Sequence, residues 1–192
     1  MSTEYSLESF LADMTRLVEA TPDEDALLDR GRAYLERLVA NPDCVPEKFC
    51  VPVGRGASPN HGTYLLHRGP GLAVTAVVWG PGDRIGPHNH DTWGIIGVAR
   101  NAIQESRYVR LDSERGAGPA KLEKRSTRLL KQGAVSLLTP DSDEIHSLEN
   151  FSDRPTVEVH VYGKELVGLP RVYFDEAKQS AIAFSSTHYD NC

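Results

Sequence analysis

From about Tyr64 onward the chain is written in short β-branched runs, and this texture constrains the fold more than any other feature. The runs lie at residues 72–79, 93–98, 134–138 and 157–162, with Gly, Pro, Asn and Asp between them. Strands of that length, broken by turn residues, predict an all-β sandwich or barrel. Residues 112–119 pass from charged side chains into Gly116-Ala117-Gly118-Pro119, which predicts an exposed hairpin tip. After Arg171-Val172-Tyr173-Phe174 the strand pattern fades into a tail.

Two helices precede the β region. Leu7, Phe10, Leu11, Met14, Leu17 and Val18 recur at three- and four-residue spacing and form one apolar stripe. In the second segment Thr21 reads as the cap, Pro22 as the first helical position and Glu24 as the end of a capping box. Leu27, Leu28, Leu35, Leu38 and Val39 supply its apolar face, and Asn41-Pro42 stops it. Residues 54–62 read as a loop. Helices that precede strands, rather than alternate with them, argue against a parallel α/β sheet. The expected organisation is a single domain over residues 1–192, with helices at 5–41 and a β-barrel at 63–174.

Charge and composition narrow the function. The chain has 21 basic and 27 acidic residues, a net charge of −6, and shows no dense basic patch. A nucleic-acid partner is therefore not expected. No apolar run approaches the roughly 20 residues of a membrane span. The start, MSTEYSLESFLADM, is acidic and polar, unlike a targeting signal. Cys44, Cys50 and Cys192 are odd in number and form no CxxC, which fits a reducing cytoplasm.

Four of the seven histidines carry the chemistry. In His88-Asn89-His90 the two imidazoles share a strand face, roughly 6 to 7 Å apart, and can reach one metal ion. The other reading is a pair of surface histidines. Turn residues before the pair, and Trp93, Ile95, Ile96 and Val98 after it, carry it into the core. His146 follows another Pro turn, at Thr139-Pro140-Asp141, and is either a surface strand residue or a third ligand. Two ligands from one strand and one from a distant strand suit a site inside a barrel. In the run 157–162 the three valines take one face and Glu158, His160 and Tyr162 the other. That second face meets either solvent or a polar cavity. In a cavity the three side chains can hydrogen-bond in sequence and orient a proton donor.

These residues resemble the cupin superfamily. Its first motif places five residues between a Gly and His-x-His, as between Gly82 and His88 here. Its second motif ends in His, three residues and Asn, as His146 and Asn150 do. The match there is partial, because six residues separate Gly133 from Pro140 and Ser142 stands in place of the motif's internal glycine. Within the cupins the chain resembles the bacterial thiol dioxygenases, the cysteine and 3-mercaptopropionate dioxygenase group. The stretch 78–82, then Pro87-His88-Asn89-His90-Asp91-Thr92-Trp93-Gly94, is similar to that family's first-motif region. No Glu follows His90 at the cupin spacing, as where three histidines alone hold iron, and His160-Val161-Tyr162-Gly163 resembles the family's His-x-Tyr-Gly.

The resemblance implies a mainly β cupin-type jelly-roll barrel behind two N-terminal helices. It implies Fe(II) on His88, His90 and His146, and oxidation of a small thiol by O2 to its sulfinate. Tyr162 would donate a hydrogen bond, His160 orient it, and Glu158 orient His160. Arg171, after Gly168, falls where bacterial members place an arginine for the substrate carboxylate; its bland alternative is a surface arginine. Thr63 and Tyr64 stand nearest the family's Arg or Gln before the first barrel strand, as further substrate contacts. Glu158 replaces the family's Ser, and a carboxylate there favours an imidazolium at His160. The cysteine that crosslinks to tyrosine in the animal enzymes falls near Gly94 or Ile95, so no crosslink is expected. A three-histidine site also suits Zn, Ni or Mn. Two other readings stay open: a cupin enzyme acting on another small molecule as oxygenase, lyase or isomerase, and a ligand-binding cupin without turnover.

Overall fold

The computed structural model describes residues 5–54, 60–140 and 144–192. Ser6 caps α1 (Leu7–Ala20) by accepting the Ser9 amide, and the predicted stripe buries Phe10, Met14 and Leu17. The cap of α2 (Glu24–Val39) differs from the sequence expectation. Asp23, not Thr21, accepts the Ala26 amide, at 2.8 Å. Thr21 instead ends α1 in an extended conformation, so Pro22 lies between the helices and Glu24 opens α2. An aspartate carboxylate caps as well as a hydroxyl and adds negative charge at the positive end of the helix dipole.

The β region starts with β1 (His61–Gly69), β2 (Leu72–Trp79), β3 (Arg84–His88), β4 (Gly94–Arg100) and β5 (Ala102–Arg110). It continues with β6 (Gly118–Pro119), β7 (Leu122–Lys131), β8 (Val135–Leu138), β9 (His146–Glu149) and β10 (Thr156–Tyr162). β11 (Arg171–Asp175) and β12 (Ser180–Phe184) follow. The predicted loop thus ends at Asn60 rather than Gly62, and its residues 55–59 lie outside the described residues, as do 141–143 before His146. Residues 112–119 form the exposed connection between the paired strands β5 and β7, as expected.

The strands form two sheets, ordered β1-β2-β10-β4-β8 and β6-β12-β11-β3-β9-β5-β7. The pairings between these strands are antiparallel. From β2 to β5, and again from β8 to β11, the chain passes from one sheet to the other at every strand. That alternation makes a double-stranded β-helix, the jelly-roll barrel.

Both helices pack on the outside of the five-stranded sheet. Val157, Val159 and Val161 of β10 join Phe10, Met14, Leu35, Leu38 and Val39 in one buried cluster. The fit is tight at Gly97, where a Cβ would stand 2.9 Å from the Leu35 side chain. A two-residue period then turns Glu158, His160 and Tyr162 inward. Inside, Val77, Trp79, Val98, Ile103, Leu130 and Leu148 form a separate apolar cluster.

The segment after Phe174 is not a fading tail. β12 pairs with β11 over five residues, and Tyr189 is buried. Beyond it, Asp190 and Asn191 dock on β1, an edge strand. The Thr63 amide donates to Asp190 at 2.6 Å and the Leu65 amide to the Asn191 side chain at 2.9 Å. Two polar side chains thus take the place of a neighbouring strand's backbone, which is why no apolar alternation marks the segment.

Leu35 is fully buried between α2 and the barrel. Leu35→Ala is expected to lower stability by about 2–5 kcal/mol in urea unfolding of the metal-free protein.

Candidate metal centre

β3 and β9 pair with His88 directly opposite His146. β3 ends at His88, and His90 lies just past the strand. Its position is fixed from both sides of the chain. The Asn89 amide and side chain both bond to the Val172 backbone, at 3.1 and 2.8 Å. The Glu144 carboxylate accepts the amides of His90 and Asp91, at 3.0 and 2.9 Å. With Asn89 tied to β11, the two flanking imidazoles turn into the barrel.

The three rings converge. Their centroids are 4.7 Å apart for His88 and His90, and 4.9 Å for His146 with each of them. One nitrogen from each ring lies within 4.8 Å of the others. All three side chains are buried. Burial first, and then the neighbouring imidazoles, push His88 and His90 well below the ordinary histidine pKa. Burial also lowers His146, against the pull of Glu105. The rings are therefore neutral, the form that ligates metal.

Hydrogen bonds on the far side of two rings select the ligand atom. His88 Nδ1 donates to the Gly86 carbonyl at 2.9 Å, and His146 Nδ1 lies 3.1 Å from a Glu105 carboxylate oxygen. Each of these rings then offers Nε2. His146 Nε2 and His90 Nδ1 are buried without a hydrogen-bond partner. Buried polar atoms are rarely left so, and an ion between the rings would satisfy them. The residues fit a divalent transition metal held by three nitrogens, with coordination positions open to a substrate.

Next to the ligands runs a chain of polar groups. The Tyr162 ring stacks on His90, centroids 5.3 Å apart. Its hydroxyl is 2.7 Å from His160 Nδ1, and His160 Nε2 is 3.1 Å from Glu158. The Trp79 indole donates to the same Glu158 oxygen at 2.7 Å. Burial raises the Tyr162 pKa further above its ordinary value, so the phenol keeps its proton.

His88, His90, His160, Tyr162, Thr63 and Arg171 all line one cavity of about 150 Å3. Arg171 is buried there. Its Nη2 donates to Ser186 at 2.6 Å, and its guanidinium lies 4.4 Å over the Phe184 ring. Its Nε is buried without a partner, and no carboxylate pairs with it among the described residues. Burial lowers its pKa, with only the Tyr162 and Tyr189 hydroxyls acting the other way. A buried cation without a counter-ion is costly, so this one is poised for an anion.

The structure thus brings together His88, His90, His146, Glu158, His160, Tyr162, Arg171 and Thr63. Tyr64 is a correction. It belongs to the outer cluster beneath the helices, its ring 5.3 Å from Phe49 and its hydroxyl donating to the Val51 carbonyl. Thr63 and Tyr64 are neighbours on β1, so only one of them can face the cavity. Sequence reading also missed residues of the site. Phe184, Ser186 and Tyr189 wall the cavity from the segment read as a tail. His61 lines it too, bonded to Asp83 at 2.9 Å and to the Thr63 hydroxyl at 3.1 Å. Glu105, behind His146, carried no local signal at all.

No family model matches the chain. Among solved structures, an oxalate oxidase in complex with glycolate is 20% identical over 49% of this chain and 42% of its own, with a TM-score of 0.39. This chain therefore spans less than half the length of that oxidase. An uncharacterized conserved protein with a double-stranded β-helix domain from Klebsiella pneumoniae is 14% identical, over 74% of this chain and 88% of its own, with a TM-score of 0.44. KdgF from a Halomonas species is 16% identical, over 58% and 86%, with a TM-score of 0.42. These are distant likenesses of fold. The barrel is a double-stranded β-helix by its own strand order and sheet pairing. No helix among the described residues is long and apolar enough to cross a membrane.

His88→Ala, His90→Ala and His146→Ala are each expected to abolish stoichiometric metal binding, read by elemental analysis after dialysis. Full metal content in all three variants would remove the centre.

Proposed function

We propose that this protein is a non-haem iron(II) thiol dioxygenase acting on a small thiol carboxylate, such as cysteine or 3-mercaptopropionate. The observation that carries this reading is the unpaired Arg171 guanidinium in the same small cavity as the three imidazoles. Drug-sized ligands occupy cavities of about 300–1,000 Å3. A cavity of about 150 Å3 suits a substrate of only a few non-hydrogen atoms. A carboxylate supplies the missing counter-ion, and guanidinium holds it through two parallel hydrogen bonds. When bound, Fe(II) supplies the chemistry that adds both atoms of O2 to a thiolate, RSH + O2 giving RSO2H.

The chain's own residues do the rest. Arg171 anchors the carboxylate and so aims the sulfur at the three rings. Val77, Trp79, Leu148 and Phe184 line the cavity and exclude water. Tyr162 holds a proton at its hydroxyl beside His90 and donates it as a hydrogen bond to the reacting oxygen atoms. Glu158 and Trp79 fix the ring of His160, and His160 fixes the phenol. A second reading, a cupin metalloenzyme acting on a small carboxylate without sulfur, draws on Glu158. Its carboxylate accepts a hydrogen bond from His160 Nε2 and leaves Nδ1 as an acceptor facing the Tyr162 hydroxyl.

Oxygen-electrode assays with cysteine, 3-mercaptopropionate and mercaptosuccinate separate the two readings. Uptake with at least one thiol is expected in the iron-loaded protein, and none with any thiol would sink the proposal. Arg171→Met is expected to lower kcat/KM by about 10–100-fold for thiols that carry a carboxylate, the usual worth of charged hydrogen bonds. Cysteamine, which has no carboxylate, should be little affected. Tyr162→Phe is expected to keep the metal and slow turnover by about one to two orders of magnitude. An unchanged rate would take Tyr162 out of the mechanism.

A further inference from the structure

Two of the three ligand histidines are backed differently. Behind His88 stands a neutral carbonyl, and behind His146 the carboxylate of Glu105. Glu105 and His146 are almost fully enclosed, 1% and 0% exposed. The carboxylate is itself held on every side. Ser136 donates to its oxygens at 3.0 and 2.9 Å, Arg107 lies 3.0 Å away, and Arg128 reaches it at 3.2 Å. Arg107 is in turn tied to Ser136 and to the Leu137 carbonyl, at 2.6 and 2.7 Å. Four strands, β5, β7, β8 and β9, thus converge on one carboxylate whose free edge faces His146 Nδ1.

We propose that Glu105 is a positioning residue of the metal centre, acting through His146. The carboxylate accepts the Nδ1–H, fixes the tautomer and the ring plane, and leaves Nε2 aimed at the other two imidazoles. An imidazole that donates to an anion is also a more basic ligand than one that donates to a carbonyl. His146 is therefore a stronger donor than His88, and the site is electronically unequal although its ligands are alike. Arg107, Arg128 and Ser136 keep the carboxylate ionised and in place without touching the ion. This role goes beyond the proposed reaction. It rests on the metal centre alone and holds for any divalent ion or substrate.

The test uses Co(II) as the probe, on the full chain, by competition with a chromophoric chelator. Glu105→Gln keeps an oxygen acceptor but removes the charge. It is expected to weaken Co(II) binding by ~10–100-fold and to shift the visible ligand-field bands. Glu149→Gln removes a carboxylate from the same strand as His146 but outside this network, and is expected to stay close to wild type in both readouts. Equal Co(II) affinity and unchanged bands in Glu105→Gln overturn the proposal. Because that variant strips two arginines of their partner, the wild-type protein is also read directly. In the Zn(II)-loaded chain, NMR is expected to show His146 bound through Nε2 with a slowly exchanging Nδ1–H. Coordination through Nδ1, or rapid exchange, overturns it. A wild-type chain that takes up no Co(II) overturns the metal centre and this role with it. Failure of thiol oxidation with Co(II) uptake intact touches only the proposed reaction.

Discussion

Burial of His88, His90 and His146 inside the barrel removes water from around three rings whose centroids lie 4.7 to 4.9 Å apart. Charged imidazoles at that spacing would repel strongly in such a medium. The rings consequently stay neutral, with lone pairs turned toward a common point. Much else in the molecule serves this arrangement. β3 faces β9 so that two of the rings stand opposite, Asn89 is anchored to β11 so that the third follows, and Glu105 holds the last one from behind.

β10 explains how a small barrel keeps such a polar interior. Its valines meet α1 and α2 on one side; on the other its His and Tyr meet the cavity, with its Glu buried behind the His. The helices supply the apolar cover that frees the inner face for chemistry. Without them the valine face would need to turn inward, and the polar row would lie in water. The two-residue period of one strand thus separates stability from function.

Much of this was legible in the residues. Strand texture predicted the barrel, and the run at 157–162 was read with both faces correctly assigned to alternation. The His-x-His pair and His146 stood out because turn residues and apolar runs framed them. What escaped has physical reasons. Parity on β1 separates Thr63 from Tyr64, and a resemblance that stops one residue short of a strand cannot fix that parity. Asp23 displaced Thr21 as cap because two good cappers stood two residues apart. β12 is short, small-residued and half exposed, so its alternation is faint. Glu105 sits in a strand that also carries Gln104, Arg107 and Arg110, and only pairing with distant β7 and β9 tells which of these is enclosed.

The cavity wall comes late in the chain. The three ligand histidines are all present by residue 146 and the polar chain by residue 162, whereas Arg171, Phe184, Ser186 and Tyr189 come after. During synthesis the three imidazoles therefore leave the ribosome before the cavity wall. Asn89, however, is tied to Val172 of β11, so His90 gains its support only when the wall arrives, and the centre and its cavity are completed together.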